Sequence, residues 1–430
     1  MNLPYSKHTL ANGLRLILVP IPGVNSVATA VMVAVGSRYE TRGINGVSHF
    51  LEHMVFKGTK KYPTTEDVNV IERIGGLQNA YTDIDITNYH NKVLSTDWRQ
   101  ALEINKELAV KPLLEQKHID RERDVILEEM KRYEDEPANK VGEVYHSMLY
   151  PGTSLGMRVI GEVDSMKAAD AATLREYHGR WYTPERIVVI LAGRIRNYES
   201  GIMEKTHEWF GGLGTPGNLG DVGNLSEVQD KQAGPKLSVL IKPDASQAHL
   251  TIGVRTFARG SEDRFGWSIL NMILGVGFTS RLFREIREKR GLCYAIRSGS
   301  DSWADVGYWS IYAGVATEKV EHATRAILAE LGKAAEKGVT GEEVAVAKKR
   351  IKTILAFKSE DPEFFTEWYG RQELYGEPIL TIEDYIKKLE NVSNDDVDGL
   401  MKKYITSDTL NLALVASRAD EASLQRLLRI

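Results

Sequence analysis

The sequence has one cysteine, no long apolar run and no excess of basic residues, and each absence excludes a class of protein. The lone Cys293 cannot form an internal disulfide and is expected to be a small apolar residue at a strand start. The first residues lack a signal-type apolar region, and no run reaches membrane-spanning length. Lys and Arg number 55 against 59 Asp and Glu, and they are dispersed. These features predict a cytoplasmic protein, unless a leader has been removed, with neither nucleic acid nor membrane as partner.

A glycine-rich stretch at 211–224 interrupts the hydrophobic pattern and indicates an interdomain linker. With 430 residues, 42% of them hydrophobic, the chain can form two or more domains. The predicted organisation is a first domain at 1–212, a linker at 213–232 and a second domain at 233–430.

The two halves repeat the same order of elements. Residues 14–58 and 237–275 each give strand, turn, strand and helix, and apolar runs at 187–193 and 410–416 parallel one another. The predicted fold class is α+β, with two homologous domains that each have a mostly antiparallel sheet and helices on one face. Near the place where the first half has His49 and His53, the second half has Ser268 to Met272. The helix of the second half is therefore expected to be structural.

The segment His49-Phe50-Leu51-Glu52-His53 combines two imidazoles and a carboxylate at helical spacing. Histidines four residues apart can bind one Zn²⁺ at about 2.0–2.1 Å, and the carboxylate before the second His can reach its water. This is the inverted order H-x-x-E-H of a metallopeptidase. The alternative is a helix whose polar face carries these side chains into solvent.

A third metal ligand is predicted in the helical segment 119–130. Glu122, Val125, Ile126 and Glu129 share a face there, so the two carboxylates are expected among buried aliphatic side chains. Because burying an unpaired carboxylate is costly, each should have a partner, such as a cation on the facing helix. An ordinary exposed glutamate is the alternative.

These patterns together resemble the pitrilysin/insulinase family of inverted zincins, especially single-chain bacterial members similar to the β subunit of mitochondrial processing peptidase. The resemblance spans nearly the whole chain and is carried by these segments: Asn12 to Pro20, Gly36 to Glu40, Asn45 to Thr59, Gly75-Gly76, Asn79 to Thr82, Glu122 to Glu129, Tyr182 to Pro184 and Ser280 to Tyr294.

The resemblance implies a zinc metalloendopeptidase with one Zn²⁺ per chain, held by His49, His53 and Glu129. It makes Glu52 the general base and Glu122 a carboxylate that supports the site. It further implies a homodimer in which each chain contributes half of a clamshell-like chamber, so that the substrates are short unfolded peptides.

Two catalytic residues are implied in the second half by the same resemblance. Ser280 to Lys289 indicates a basic helix, and Cys293 to Ser298 indicates a strand. In the family, positions equivalent to Arg287 and Tyr294 reach the substrate, where a guanidinium can clamp a carbonyl and a phenol can donate to the oxyanion. Surface charge for Arg287 and core packing for Tyr294 are the alternatives.

Residues 77–93 alternate polar and apolar side chains, as in a half-buried hairpin or an edge strand. An edge strand can bind substrate as an added strand, and the resemblance puts Asn79 and Ala80 at that edge. Phe56 would line a substrate pocket. The alternatives are a turn for Asn79 and core packing for Phe56.

Two other classes of function compete with the peptidase. A noncatalytic peptide-binding or structural subunit of the same fold commonly loses the ligands, whereas this chain keeps them. A different hydrolase would need its own motif, and neither a nucleotide loop nor a Gly-x-Ser-x-Gly elbow is present. Acids at Glu134, Asp135, Glu136 and Glu143 are expected to be a solvated face, with a preference for basic substrates as the alternative.

Overall fold

The computed structural model describes residues 3–214 and 232–430, which form two units. Within the described residues, the first unit comprises 3–130, 157–214 and 355–383, and the second comprises 131–156, 232–354 and 384–430. The predicted linker at 213–232 lies almost entirely outside the described residues.

The first unit contains a six-stranded sheet in the order β1-β2-β6-β3-β5-β4. Its strands are β1 (Ser6–Thr9), β2 (Arg15–Pro20), β3 (Ser26–Val33), β4 (Leu77–Thr82), β5 (Thr87–Leu94) and β6 (Ile187–Gly193). β6 is buried along its whole length, as expected for a run rich in β-branched residues that has strands on both sides. Only the β2–β6 pair is parallel.

The second unit repeats this arrangement with five strands in the order β7-β11-β8-β10-β9. These strands are β7 (Lys236–Ile241), β8 (Ala248–Thr256), β9 (Cys293–Ser302), β10 (Gly307–Val315) and β11 (Asn411–Ala416). Again only one pair, β7–β11, is parallel. The predicted internal repeat and the predicted α+β class are therefore confirmed.

The helices follow the strands in both halves of the chain. In the first half they are α1 (Val47–Val55), α2 (Thr65–Val68), α3 (Val70–Arg73), α4 (Trp98–Val110), α5 (Gln116–Asp135), α6 (Pro137–Leu149), α7 (Val163–Ala168), α8 (Ala171–Trp181) and α9 (Glu199–Phe210). In the second half they are α10 (Asp263–Leu274), α11 (Val320–Lys337), α12 (Gly341–Lys358), α13 (Pro362–Leu374), α14 (Ile382–Glu390), α15 (Asn394–Tyr404) and α16 (Glu421–Leu427). Among the described residues, no helix combines the length and the apolar content needed to cross a bilayer.

Helices pack on both faces of the first sheet, so the predicted packing on one face is wrong for this unit. On one face, Asn105 of α4 donates to Thr29 of β3 at 2.8 Å. On the other, α13 packs so closely that a Cβ on Gly370 would lie 2.7 Å from Met32 Sδ and 2.8 Å from Ile190 Cδ1. α13 comes from the second half of the chain, and α6 from the first half packs on β8 and β11 of the second sheet.

Candidate metal centre and active site

Helix α1 carries the H-x-x-E-H residues, and its start is fixed by a left-handed glycine and a buried carboxylate. Gly46 adopts φ +93° immediately before the helix, a conformation that side chains disfavour. Glu40, 5% exposed, accepts hydrogen bonds from the backbone N–H groups of Gly46 at 2.6 Å and Ser48 at 2.7 Å, and from Asn45 Nδ2 at 2.9 Å. The carboxylate thus satisfies N–H groups that have no partner within the helix.

The two faces of α1 separate as the sequence predicts. Phe50, Leu51 and Met54 are buried, whereas His49, Glu52 and His53 are not buried within the apolar core. The two imidazole rings lie 4.6 Å apart, centroid to centroid.

His49, His53 and Glu129 converge, since one potential ligand atom of each lies within 4.8 Å of the other two. Glu129 Oε2 is 3.9 Å from His49 Nε2 and 3.5 Å from His53 Nε2. Ligand atoms at about 2.0–2.1 Å from a tetrahedral Zn²⁺ are about 3.4 Å apart, so the donors fit this ion in both chemistry and spacing.

Glu122 contacts His53 at Nδ1, whereas Nε2 of the same ring faces Glu129. Glu122 Oε1 lies 2.9 Å from His53 Nδ1, and Glu122 Oε2 lies 2.6 Å from Lys57 Nζ. Burial would raise the pKa of Glu122, but hydrogen bonds from His53 and Lys57 outweigh it and lower that pKa. A His that donates Nδ1–H to a carboxylate leaves Nε2 free for a metal.

The two histidines have pKa values shifted in opposite directions. Burial, with a smaller contribution from His53, lowers the pKa of His49 to about 3, so this imidazole is neutral and can bind a metal. His49 Nδ1 is buried and has no hydrogen-bond partner among the described residues. The pKa of His53 is raised, because its hydrogen bond with Glu122 and the nearby carboxylates outweigh burial.

Glu52 lies beside the metal donors and against strand β4. Burial raises its pKa, and the charge of Glu129 adds to that, whereas His53 and a hydrogen bond from Thr82 oppose it. A carboxylate with a raised pKa is the stronger base, which is the property a proton acceptor needs.

One detail of the α5 prediction is wrong. Glu122 and Ile126 are buried, but Val125 is 51% exposed and does not share their face. The buried face of α5 runs through Ile119, Glu122, Ile126 and Met130, and Val125 lies about 100° from its centre because each residue turns the helix by about 100°. The expected cation near Glu122 is present as Lys57, directly after α1.

The 77–93 segment is the predicted hairpin, and β4 is the edge strand of its sheet. Asn79 is an exposed strand residue and not a turn residue, while Ala80 is buried. Phe56 caps the C-terminus of α1 and is half-buried, so it is not a core residue. Helix α1 packs beside β4, which brings the strand edge near the metal donors.

Arg287 and Tyr294 lie in the second unit. The predicted basic helix is a π-helical segment, Phe283–Glu288, in which Arg287 is exposed and its guanidinium lies 4.8 Å from the Phe283 ring centroid. Cys293 is buried at the start of β9, as predicted, and Tyr294 beside it is 47% exposed. Core packing is therefore excluded for Tyr294.

Sequence reasoning missed the role of Glu40. The residue stands in the Gly36 to Glu40 motif, but its partners are backbone N–H groups, which leave no signal in side-chain patterns. The acids around 134–143 are partly neutralised, because Lys140 Nζ contacts Glu134 and lies 3.0 Å from Glu143 Oε2.

Nearly the whole chain is similar to known proteins. The model of the insulinase family, peptidase family M16, matches residues 15–163, and the model of the peptidase M16 inactive domain matches residues 168–351. YmxG of Bacillus subtilis, named an uncharacterised zinc protease, is 31% identical over 410 residues, covering 95% of this chain and 98% of its own. A Mycobacterium tuberculosis protein of the same description is 32% identical over 98% of this chain and 95% of its own.

The fold is shared with solved proteases. A Helicobacter pylori protease superposes with a TM-score of 0.90 at 22% identity, covering 96% of this chain and 99% of its own. The periplasmic protease PqqL of Escherichia coli gives 0.80 at 20% identity, covering 100% of this chain and 50% of its own. The chain therefore belongs to the insulinase family of peptidases, family M16, and its sequence relatives are named as zinc proteases.

Proposed function

We propose that this chain is a zinc-dependent metalloendopeptidase that hydrolyses peptide bonds in short, unfolded peptides. The observation that carries the proposal is the convergence of His49, His53 and Glu129, with Glu122 bound to the second histidine. Two imidazoles and one carboxylate are the ligand set of hydrolytic zinc sites, in which a fourth position stays open.

His49, His53 and Glu129 would hold one Zn²⁺ per chain. When bound, the ion polarises a carbonyl and lowers the pKa of water to about 7. Glu122 fixes the ring orientation of His53 and increases the basicity of its Nε2. Lys57 balances the charge of Glu122 and so allows that carboxylate to remain ionised while buried.

Glu52 acts as the general base. It takes a proton from the attacking water and later delivers it to the leaving amine. Its raised pKa supports both steps, because a weakly acidic carboxyl accepts a proton readily and can release it again.

Substrate would bind as an additional strand along β4. The edge position of this strand and the exposure of Asn79 support backbone pairing near Asn79 and Ala80. Since backbone hydrogen bonds do not depend on side-chain identity, such binding tolerates many sequences. Phe56 would line a pocket for a substrate side chain.

Arg287 and Tyr294 are proposed to contact substrate from the second unit, Arg287 as a clamp on a carbonyl and Tyr294 as a donor to the oxyanion. Their exposure supports this, since a contact residue cannot be buried in the core. A homodimer that encloses the substrate is part of the same proposal and rests on the resemblance to single-chain relatives.

Replacement of Glu52 tests the catalytic part of the proposal. Purified protein should contain one zinc per chain and cleave a quenched peptide, and chelation should abolish the cleavage. Glu52→Gln should retain zinc and fold but lose about 10²–10⁴-fold in kcat, because the amide cannot accept the proton.

The competing function is a noncatalytic peptide-binding or structural subunit. That function predicts that the wild type and Glu52→Gln both bind peptide without zinc and that neither cleaves it. Near-normal turnover by Glu52→Gln would instead remove Glu52 from the role of base.

A further inference from the structure

Tyr294 lies directly over a glycine of the neighbouring strand. An added Cβ on Gly314 would lie 2.3 Å from Tyr294 Cζ and 2.4 Å from its hydroxyl oxygen. Such distances are far below van der Waals contact, so the ring can occupy this place only because residue 314 has no side chain. The β9–β10 register shifts between Gly314 and Val315, beside the same ring.

Two polar side chains of the same sheet lie close to Tyr294. Burial raises the pKa of Tyr312 on β10, and the neighbouring Tyr294 adds to that effect. The Tyr312 hydroxyl lies 2.8 Å from His249 Nδ1 on β8. The guanidinium of Arg297, the cross-strand partner of Tyr312, lies 4.5 Å from the Tyr312 ring centroid. His249 is 7% exposed, so its contact with Tyr312 is made by a buried group.

We propose that Gly314, Tyr312 and His249 are positioning residues that hold the Tyr294 phenol as a hydrogen-bond donor for substrate. The assignment rests on the proposed peptidase function, in which Tyr294 contacts the oxyanion. The inferred hydrogen bond joins the hydroxyls of Tyr312 and Tyr294. Each hydroxyl carries one proton, so Tyr294 keeps its own proton for substrate only if Tyr312 donates to it. Tyr312 must then accept from His249, which assigns a proton to Nδ1 of that imidazole.

The direction of this chain strengthens the phenol as a donor. A hydroxyl that accepts a hydrogen bond donates a stronger one, because the bonds polarise one another. The glycine limits the position of the ring and Tyr312 limits the position of its hydroxyl. Together they reduce the reorganisation needed when charge develops on substrate.

Steady-state kinetics with a quenched peptide test the proposal. Tyr294→Phe should lower kcat by about 10²–10³-fold, as expected for the loss of one oxyanion donor. Gly314→Ala should lower kcat by about 10–100-fold, because the ring must move by about 1 Å. Tyr312→Phe should lower kcat by several-fold, with KM changed less than about twofold in each case.

Double variants separate positioning from a general structural effect. In the Tyr294→Phe background, Gly314→Ala and Tyr312→Phe should cause less than about a twofold further loss, because the donor is already absent. Gly299→Ala is the matched control: it lies on β9, its Cβ would meet nothing within 4 Å, and kcat should be unchanged. If Gly314→Ala lowers kcat by the same factor in the wild type and in Tyr294→Phe, the proposal is overturned.

A measurement that needs no activity distinguishes this proposal from the proposed function. With 3-fluorotyrosine at position 294, the fluorine resonance should shift in Gly314→Ala and Tyr312→Phe but not in Gly299→Ala. An unchanged resonance in all three overturns the positioning claim. If the zinc-loaded chain cleaves no peptide, the peptidase proposal fails, whereas the resonance still decides how Tyr294 is held.

Discussion

At the scale of single residues, Glu122 contacts His53, one of the candidate metal donors. Glu122 is buried, and its two oxygens are used by the His53 ring and by Lys57. A hydrogen bond to a ligating histidine sets the tautomer and the ring orientation before the metal arrives. We therefore expect the charge of Glu122 to affect metal binding even though its oxygens have other partners.

Glu122→Gln should weaken zinc binding by about 10–100-fold, because an amide is a poorer acceptor for the His53 N–H. Excess zinc should restore turnover in this variant. Competition with a chromogenic chelator measures the affinity. Glu128→Gln is the matched control, since Glu128 lies on the same helix but is exposed. An affinity equal to that of the wild type would remove Glu122 from its supporting role.

The residue pattern predicted the candidate metal donors within each helix because their spacing there is local. His49 and His53 are one helical turn apart, and Glu129 follows Glu122 by two turns, so each pair is visible in the sequence. Glu40 could not be found in this way, because it binds backbone N–H groups six and eight residues away. The sequence also misplaces Val125, because its spacing of three from Glu122 fits the same face, whereas the structure exposes it.

At the scale of elements, the start of α12 combines a helix cap with an ion pair. The backbone N–H of Thr340 donates to Glu343 Oε2 at 2.9 Å, and the N–H of Glu343 donates to Thr340 Oγ1 at 3.2 Å. Arg281 binds both oxygens of Glu343, at 2.7 and 2.6 Å. This capping box thus connects α12 to the segment that carries Arg287.

Glu343→Gln should lower the free energy of unfolding by about 1–3 kcal/mol at pH 7. The Arg281 guanidinium, opposed by partial burial, lowers the pKa of Glu343 from 4.5 to about 2. A lowered pKa stabilises the fold above the ordinary value, so the difference between wild type and variant should shrink below pH 4.5 and vanish near pH 2. Denaturant unfolding at several pH values measures it.

The exposed neighbour Glu342 gives the control for this experiment. Glu342→Gln should change the unfolding free energy little, because the side chain lies outside the capping box. A difference for Glu343→Gln that is constant from pH 7 to pH 2 would show that the ion pair contributes nothing.

The order of elements was predictable from periodicity, but the sheet on which each helix packs was not. An apolar face shows that a helix packs against another element, but it does not identify that element. Helices α6 and α13 illustrate this, since each packs on the sheet formed by the other half of the chain. Long-range packing of this kind leaves no local pattern in the sequence.

At the scale of the whole molecule, the two copies of the architecture differ at the helix that follows their second strand. In the first copy this helix, α1, carries the candidate metal donors His49 and His53. In the second copy it is α10, where Asn271 accepts from Trp309 Nε1 at 2.8 Å and from the Ser298 hydroxyl and so joins the helix to its sheet. The second copy then offers Tyr294 on β9, the counterpart of the edge strand β4.

If a homodimer encloses its substrate, cleavage should depend on the size of the whole substrate. A preference for unfolded chains alone would not have this dependence. One cleavable sequence can be presented as a free peptide, as a disordered tail on a stable globular protein, and as a surface loop of that protein. An enclosing homodimer should cleave the peptide fastest and exclude both fusions, because the attached domain prevents closure. An open groove that needs only an extended strand should cleave the tail as fast as the peptide, since both can add to β4. Equal kcat/KM for tail and peptide would therefore contradict enclosure and leave strand addition intact.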